Sequence, residues 1–218
     1  MSLIRLKDNL RRPVAIAATG LFLCSVALYF SPIDLAHKIA IPVGILALSA
    51  LMLCPWHMAL ALAFSAVGDY FGSAGNLMAQ IGCFAMAHIW FIVYFIVRYR
   101  REVKGRVKGK IYAFGAILCP LMIFIAAIAL IVPSTPPGIL RIGVSIYACM
   151  ISIMLLLALL QRDLMSALGA ALFVISDFIL AWVLFVDAIP HSGYLIMIPY
   201  YAAEWILYEK STSLRISK

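Results

Sequence analysis

The chain has 218 residues, of which 66% are apolar and only 12% are charged. A soluble domain carries about 25% charged residues, so this composition excludes a soluble enzyme, a disordered chain and a nucleic-acid-binding protein as the first interpretation. The net charge of +8 does not favour nucleic acid either, because the basic residues lie in loops and tails, as the positive-inside rule predicts for membrane proteins. The composition therefore predicts a polytopic membrane protein.

Eight apolar segments follow one another along the chain. They are longer than the roughly 9–11 residues of a barrel strand and do not alternate apolar with polar residues, so we predict helices. The fold class predicted is all-α: a polytopic transmembrane helical bundle of eight spans that forms a single domain over residues 1–218. The third and eighth segments are short and carry a carboxylate, so hydropathy marks them less clearly than the others. The spans are 13–30, 38–54, 56–71, 76–97, 111–132, 139–160, 164–186 and 193–208.

The distribution of basic residues predicts the topology. With eight spans and both termini inside, only Lys38 and Arg141 of the 17 Lys and Arg residues lie outside. The loop 98–110 is the most basic, and it would suit anionic lipid headgroups or simply set the orientation. We expect an integral protein of the bacterial inner (cytoplasmic) membrane with both termini and this loop in the cytoplasm.

A short internal repeat relates the third and seventh spans. Residues 63–70 resemble residues 171–178, with Asp69 and Asp177 at equivalent positions. These spans are four apart and run in the same direction, which would be consistent with two parallel halves of four helices.

Three acidic residues and one histidine lie deep inside predicted spans: Asp69, Asp177, Glu204 and His88. A charge within the bilayer costs several kcal/mol, so such residues pair, neutralise or face a cavity. Asp69 follows Trp56 by 13 residues and Asp177 follows Leu164 by 13, which places each about 20 Å along its helix. We therefore expect all four residues in one layer around one cavity, although Glu204 would be exposed if the eighth segment lay flat on the membrane.

Helical spacing places further residues on the same faces. Ser65 lies one turn before Asp69, Phe84 one turn before His88, and Tyr200 one turn before Glu204 with Tyr201 beside it. We predict Glu204, Tyr200, Tyr201, Ser65 and Phe84 as substrate-binding residues, with packing as the alternative role of the aromatic rings. No His or Cys cluster has metal-ligand spacing, so we predict no metal and no cofactor, and leave open one metal held by carboxylates and His88.

Four motifs occur in order: Val67-Gly68-Asp69, Ile81 to His88, Gly169 to Asp177, and Tyr200-Tyr201-Ala202-Ala203. Together they resemble the YhhN-like lysoplasmalogenase family over about residues 36–208. The resemblance implies an eight-helix membrane hydrolase that cleaves the vinyl ether bond of lysoplasmalogens, with Asp69, Asp177 and His88 at the catalytic positions. The chain departs from the family at Glu204, where relatives commonly have Gln or His, and at Lys38 and Pro42, which are adjacent in many relatives.

The implied reaction needs a protonated carboxyl as general acid and a carboxylate that stabilises the cation and activates water. We assign these roles to Asp177 and Asp69, and expect His88 to orient water or bind the phosphate. The partners implied are a lysophospholipid and the bilayer. The main alternative is a proton-coupled transporter that uses the buried carboxylates. An intramembrane aspartyl protease fits less well, because the chain lacks the Gly-x-Gly-Asp and Pro-Ala-Leu motifs.

Overall fold

The computed structural model describes residues 3–103 and 110–216. Within these ranges the chain forms eight α-helices and no strand, which confirms the all-α prediction. Lys104, Arg106, Lys108 and Lys218, which belong to the predicted basic loop and tail, lie outside the described residues. The helices are α1 (Leu3–Phe30), α2 (Ala40–Leu53), α3 (Trp56–Ser73), α4 (Leu77–Arg98), α5 (Lys110–Leu130), α6 (Ile139–Leu160), α7 (Leu164–Phe185) and α8 (Ser192–Ile216).

Five of these helices are long and apolar enough to cross a membrane, which indicates an integral membrane protein. They are α1, α4, α5, α6 and α7. Helix α2 has only 14 residues, and α3 and α8 carry more polar side chains, as the sequence indicated for the third and eighth segments. The count of eight spans and the two-half repeat therefore stay predictions.

Helix α8 extends beyond the predicted span 193–208. It continues to Ile216, although the residues after Tyr208 are Glu209, Lys210, Ser211 and Thr212. Ser211 and Thr212 are buried, and the Thr212 hydroxyl lies 3.3 Å from the Cys54 thiol at the end of α2. Packing thus prolongs the helix past the point where hydropathy falls, and the predicted boundary was wrong for the helix.

Local sequence explains most of the other helix boundaries. Pro55 forces Cys54 into an extended conformation, so α2 ends and α3 begins on either side of this pair. The Asn76 side chain accepts from the Ala79 amide at the start of α4, and the Asp163 side chain accepts from the Ser166 amide at the start of α7. Both predicted starts, 76 and 164, are within one residue of the observed helices.

The chain divides into two compact units. The first contains residues 1–90 and 208–218, and α2 packs in it against both α1 and α3. Its core includes fully buried Val43, Leu46 and Met58, and the Ser49 hydroxyl donates to the Tyr208 hydroxyl at 3.0 Å. This unit holds α3 and the first part of α4 together through the edge-to-face contact of Trp56 and Trp90, 5.1 Å apart.

The second unit contains residues 91–207, and α6 packs in it against both α5 and α7. The turn between α5 and α6 passes through Gly138, whose φ of +104° disfavours any residue with a side chain. The Arg141 guanidinium donates to the Thr135 carbonyl and so fixes this turn on α6. Helices α7 and α8 approach closely at Gly169, where an added Cβ would lie 2.8 Å from Leu207.

Candidate functional site

Asp69 and Ser65 lie one turn apart on α3 of the first unit. Both are buried, with Asp69 only 3% exposed, as the prediction of an intramembrane carboxylate requires. The Ser65 hydroxyl has no hydrogen-bond partner among the described residues. Because buried hydroxyls are almost always satisfied, this donor is of the type that a bound water or substrate would pair with.

His88 on α4 is fully buried and bonded to its own helix. Its Nδ1 lies 2.7 Å from the Phe84 carbonyl oxygen. A carbonyl can only accept, so Nδ1 carries a proton, and in the neutral tautomer of this form Nε2 is the acceptor. This geometry fixes the tautomer that could orient a water molecule.

Phe84 connects α4 to α3. Its ring lies against Gly68, where an added Cβ would be 3.0 Å from two ring atoms. Glycine therefore allows the ring to pack directly on the backbone beside Asp69. Ser65 and Asp69 on α3 and Phe84 and His88 on α4 therefore lie on two adjoining helices of the first unit. Phe84 has a packing role in addition to its predicted role in binding.

Asp177 on α7 has a partner that the sequence interpretation missed. Its Oδ2 accepts a hydrogen bond from the Tyr147 hydroxyl on α6, and both side chains are partly accessible. Tyr147 lies eight residues after the start of α6, and Asp177 lies eight residues before the end of α7. Because α6 and α7 run in opposite directions, the start of α6 and the end of α7 lie on the same side, and equal distances from these ends give equal depth. This spacing is the sequence signal that could have identified Tyr147.

A cavity opens beside this pair. Its volume is about 40 Å³, it is partly open to the surroundings, and it is lined mainly by residues of α5, α6 and α7. Tyr147, Asp177 and Ser152 are its polar residues, and the remainder of the wall is aliphatic or aromatic. The arrangement presents a carboxyl group to an otherwise apolar space.

Residues 35–210 match the YhhN family. The chain belongs to the YhhN family. No match was found among curated proteins or among solved structures.

On α8 of this YhhN-family chain, Glu204, Tyr200 and Tyr201 are all buried. The burial of Glu204 excludes the alternative in which it is a surface residue of a helix lying flat. The Tyr200 ring makes an edge-to-face contact with Phe173 at 5.5 Å, and the Ser176 hydroxyl donates to the Ile196 carbonyl. These contacts place Tyr200 on the α8 face that packs against α7, one turn from Glu204.

The predicted site residues thus fall into two groups. Asp69, Ser65, Phe84 and His88 lie in the first unit, and Asp177, Glu204, Tyr200 and Tyr201 lie in the second. Their convergence around one cavity stays a prediction. Among the described residues, no group of three or more His, Cys, Asp or Glu side chains is arranged to hold a metal ion.

A second polar cluster joins the end of α4 to the start of α7. The buried Arg98 guanidinium donates to Asp163 and to the Ser166 hydroxyl, each at 2.7 Å. Burial alone would raise the pKa of Asp163, but the Ser166 amide and the Arg98 guanidinium outweigh it and lower that pKa below its ordinary value. The sequence interpretation had assigned Arg98 only to the basic loop, so this structural ion pair was missed.

Proposed function

We propose that this YhhN-family protein is a lysoplasmalogenase, an eight-span enzyme of the bacterial inner membrane. It would hydrolyse the vinyl ether bond of lysoplasmalogen to a fatty aldehyde and glycerophosphoethanolamine or glycerophosphocholine. The observation that carries the proposal is Asp177, a carboxyl group held by Tyr147 at the wall of an apolar cavity. Family membership and the buried Asp69, His88 and Glu204 support it.

The chemistry follows from the polarity of a vinyl ether, whose oxygen donates electron density to the β-carbon. A carboxylic acid transfers its proton to that carbon, which leaves an oxocarbenium ion at the carbon bearing oxygen. Water adds to the cation and gives up a proton, which returns to the carboxylate left by the acid, and the hemiacetal then collapses to aldehyde and alcohol as its hydroxyl proton moves to the leaving oxygen. The proton lost by water restores the acid, so the net reaction consumes one vinyl ether and one water.

The residues supply the required groups. Asp177 is the proposed acid: Oδ2 accepts from Tyr147, so Oδ1 is the oxygen that would carry the proton. Asp69 is the proposed carboxylate that stabilises the cation. His88, with Nδ1 bonded to Phe84, offers Nε2 to orient the water. Ser65, Phe84, Tyr200, Tyr201 and Glu204 are the proposed substrate contacts.

The test is aldehyde release by the purified full chain in detergent from a vinyl-ether lysophospholipid. The saturated ether analogue is the control, because it has no carbon that can be protonated to an oxocarbenium ion. We expect aldehyde from the vinyl ether and none from the analogue. A proton-coupled transporter would release no aldehyde in detergent, and cleavage of both lipids would show a different chemistry.

A further inference from the structure

The cavity beside Tyr147 and Asp177 is the inner part of a groove on the second unit, and this groove indicates where the substrate's hydrocarbon chain lies. We propose that the groove between α5 and α7, with α6 as its floor, binds the alkenyl chain of the lysolipid. The vinyl ether would then reach Asp177 from this side of the unit. The inference rests on the proposed function, which does not by itself specify where the alkenyl chain of the substrate binds.

The shape of the groove follows from the packing of three helices. Helix α6 packs against both α5 and α7, so it forms the floor between two walls. Ile123 and Ala127 of α5 form one wall, Phe178 and Ala181 of α7 form the other, and Ala148 lies on the floor. Small side chains on all three helices keep the space open for a narrow occupant.

The chemistry of the wall selects a single hydrocarbon chain with one polar end. Aliphatic and aromatic residues cover most of the groove, and Tyr147 with Asp177 forms its main polar point. An alkyl chain would be buried along the apolar wall, while a vinyl ether adjoining that alkyl chain could meet the carboxyl. A polar solute would leave its own groups unpaired along the same wall.

The position of α5 gives such a chain a route of entry. Helix α5 is the most apolar of the five helices that could cross a membrane, and most of its residues are not buried by the protein. One wall of the groove therefore borders the lipid phase. A lysolipid could enter sideways from the membrane without exposing its chain to water.

Photo-crosslinking locates the chain independently of cleavage. The probe is a saturated-ether lysophospholipid with a diazirine in its alkyl chain, and it is mixed with the purified full-length protein in detergent. We expect labelled peptides from α5, α6 and α7, and labelling that an excess of the plain saturated-ether lysolipid suppresses. Labelling confined to other helices would overturn the proposal, as would equal suppression by a diacyl phospholipid, which would indicate a resident membrane lipid.

Groove-filling variants provide the matched comparison. Ala127→Phe and Ala181→Phe place a ring in the groove, whereas Ala129→Phe adds the same ring on an exposed face of α5. Ala127 is buried and Ala181 is only half-buried, so Ala181→Phe should still fold if the added ring at position 127 prevents folding. We expect the two groove variants to lose suppressible labelling and the Ala129 variant to keep it. Wild-type labelling in both groove variants would overturn the proposal.

Turnover distinguishes this inference from the proposed function. In the groove variants, KM for a long-chain vinyl-ether lysolipid should rise about tenfold or more, and KM for a short-chain one should rise less. An equal rise for both chain lengths would contradict the groove as the chain site. Suppressible groove labelling without any aldehyde release by the wild type would refute the lysoplasmalogenase function and leave the groove as a lysolipid-binding site.

Discussion

The hydrogen bond from Tyr147 makes the two oxygens of Asp177 inequivalent, because only Oδ2 accepts from the phenol. Tyr147→Phe keeps the ring and removes this bond, so the carboxyl can rotate away from the reacting carbon. We expect kcat to fall by about 10²-fold with little change in KM, since misplacement of a catalytic group has effects of that size. Tyr194→Phe, on an exposed residue, is the control. An unchanged kcat, with or without a rise in KM, would contradict a positioning role.

The two aspartates are tested by isosteric amides. Asp69→Asn and Asp177→Asn keep the shape of the side chain but remove its proton, so each should lower turnover by roughly 10²–10⁴-fold. Folding should change little, because a buried amide costs less than a buried charge. Glu204→Gln should cost less, because Glu204 is a proposed substrate contact and transfers no proton in the proposed mechanism.

The readout for these variants is aldehyde release, with thermal unfolding in detergent as the measure of folding. Asp187→Asn, on an exposed carboxylate, is the matched control and should retain activity. Near-wild-type turnover in both Asn variants at positions 69 and 177 would show that the aspartates are structural.

At the scale of elements, Gly68 sets the approach of α3 and α4. Gly68→Ala adds a Cβ 3.0 Å from the Phe84 ring, so the ring must move, and the Phe84 carbonyl that holds His88 belongs to the same residue. We expect a lower unfolding temperature and reduced activity. Gly82→Ala on α4 meets no atom within 4 Å and should be neutral or stabilising, because alanine favours a helix over glycine by about 1 kcal/mol. Equal effects of the two substitutions would contradict this packing.

The ion pair of Arg98 and Asp163 makes the contact of α4 with α7 sensitive to acid. The folded-state pKa of Asp163 lies below its ordinary value, so its stabilisation is present above that ordinary value and is lost as the pH falls through the folded value. Asp163→Asn can still cap α7 but loses the charge, and should destabilise the protein by about 1–3 kcal/mol near neutral pH. The gap between variant and wild type should close as the pH falls below about 4, near the ordinary aspartate pKa.

Thermal unfolding of both proteins from neutral to acidic pH in detergent measures that gap. Asp187→Asn, whose carboxylate accepts only from the Ala188 amide among the contacts observed, should show no gap at any pH. A constant difference between Asp163→Asn and the wild type would mean that the charge of Asp163 does not stabilise the contact.

For the whole molecule, the distribution of basic residues predicts the topology, and this prediction can be tested. Only Lys38 and Arg141 would lie outside if the chain has eight spans and cytoplasmic termini. A reporter fused after Lys218 should therefore read out on the cytoplasmic side, and one inserted beside Gly138, in the turn before α6, on the other side. An outer readout at the C-terminus would refute the eight-span topology.

The sequence by itself determined the helical class, most helix boundaries and the acidic positions. Long apolar runs leave the backbone no partner in lipid except its own helix, and Pro55, Asn76 and Asp163 mark boundaries through local backbone chemistry. Burial of Asp69 and His88 was likewise predictable, because helical period and hydropathy act within one segment, whereas burial of Glu204 was decided by the structure.

Only the tertiary structure decided the contacts between segments. The extension of α8 depends on Thr212 meeting Cys54, and the bond from Tyr147 to Asp177 depends on the rotation of α6 and α7 about their axes. The groove likewise exists because α6 packs against two neighbours with small side chains between them. Hydropathy fixes which residues are apolar, but lipid and protein interior are equally apolar, so which face of a helix meets another helix is settled by packing alone.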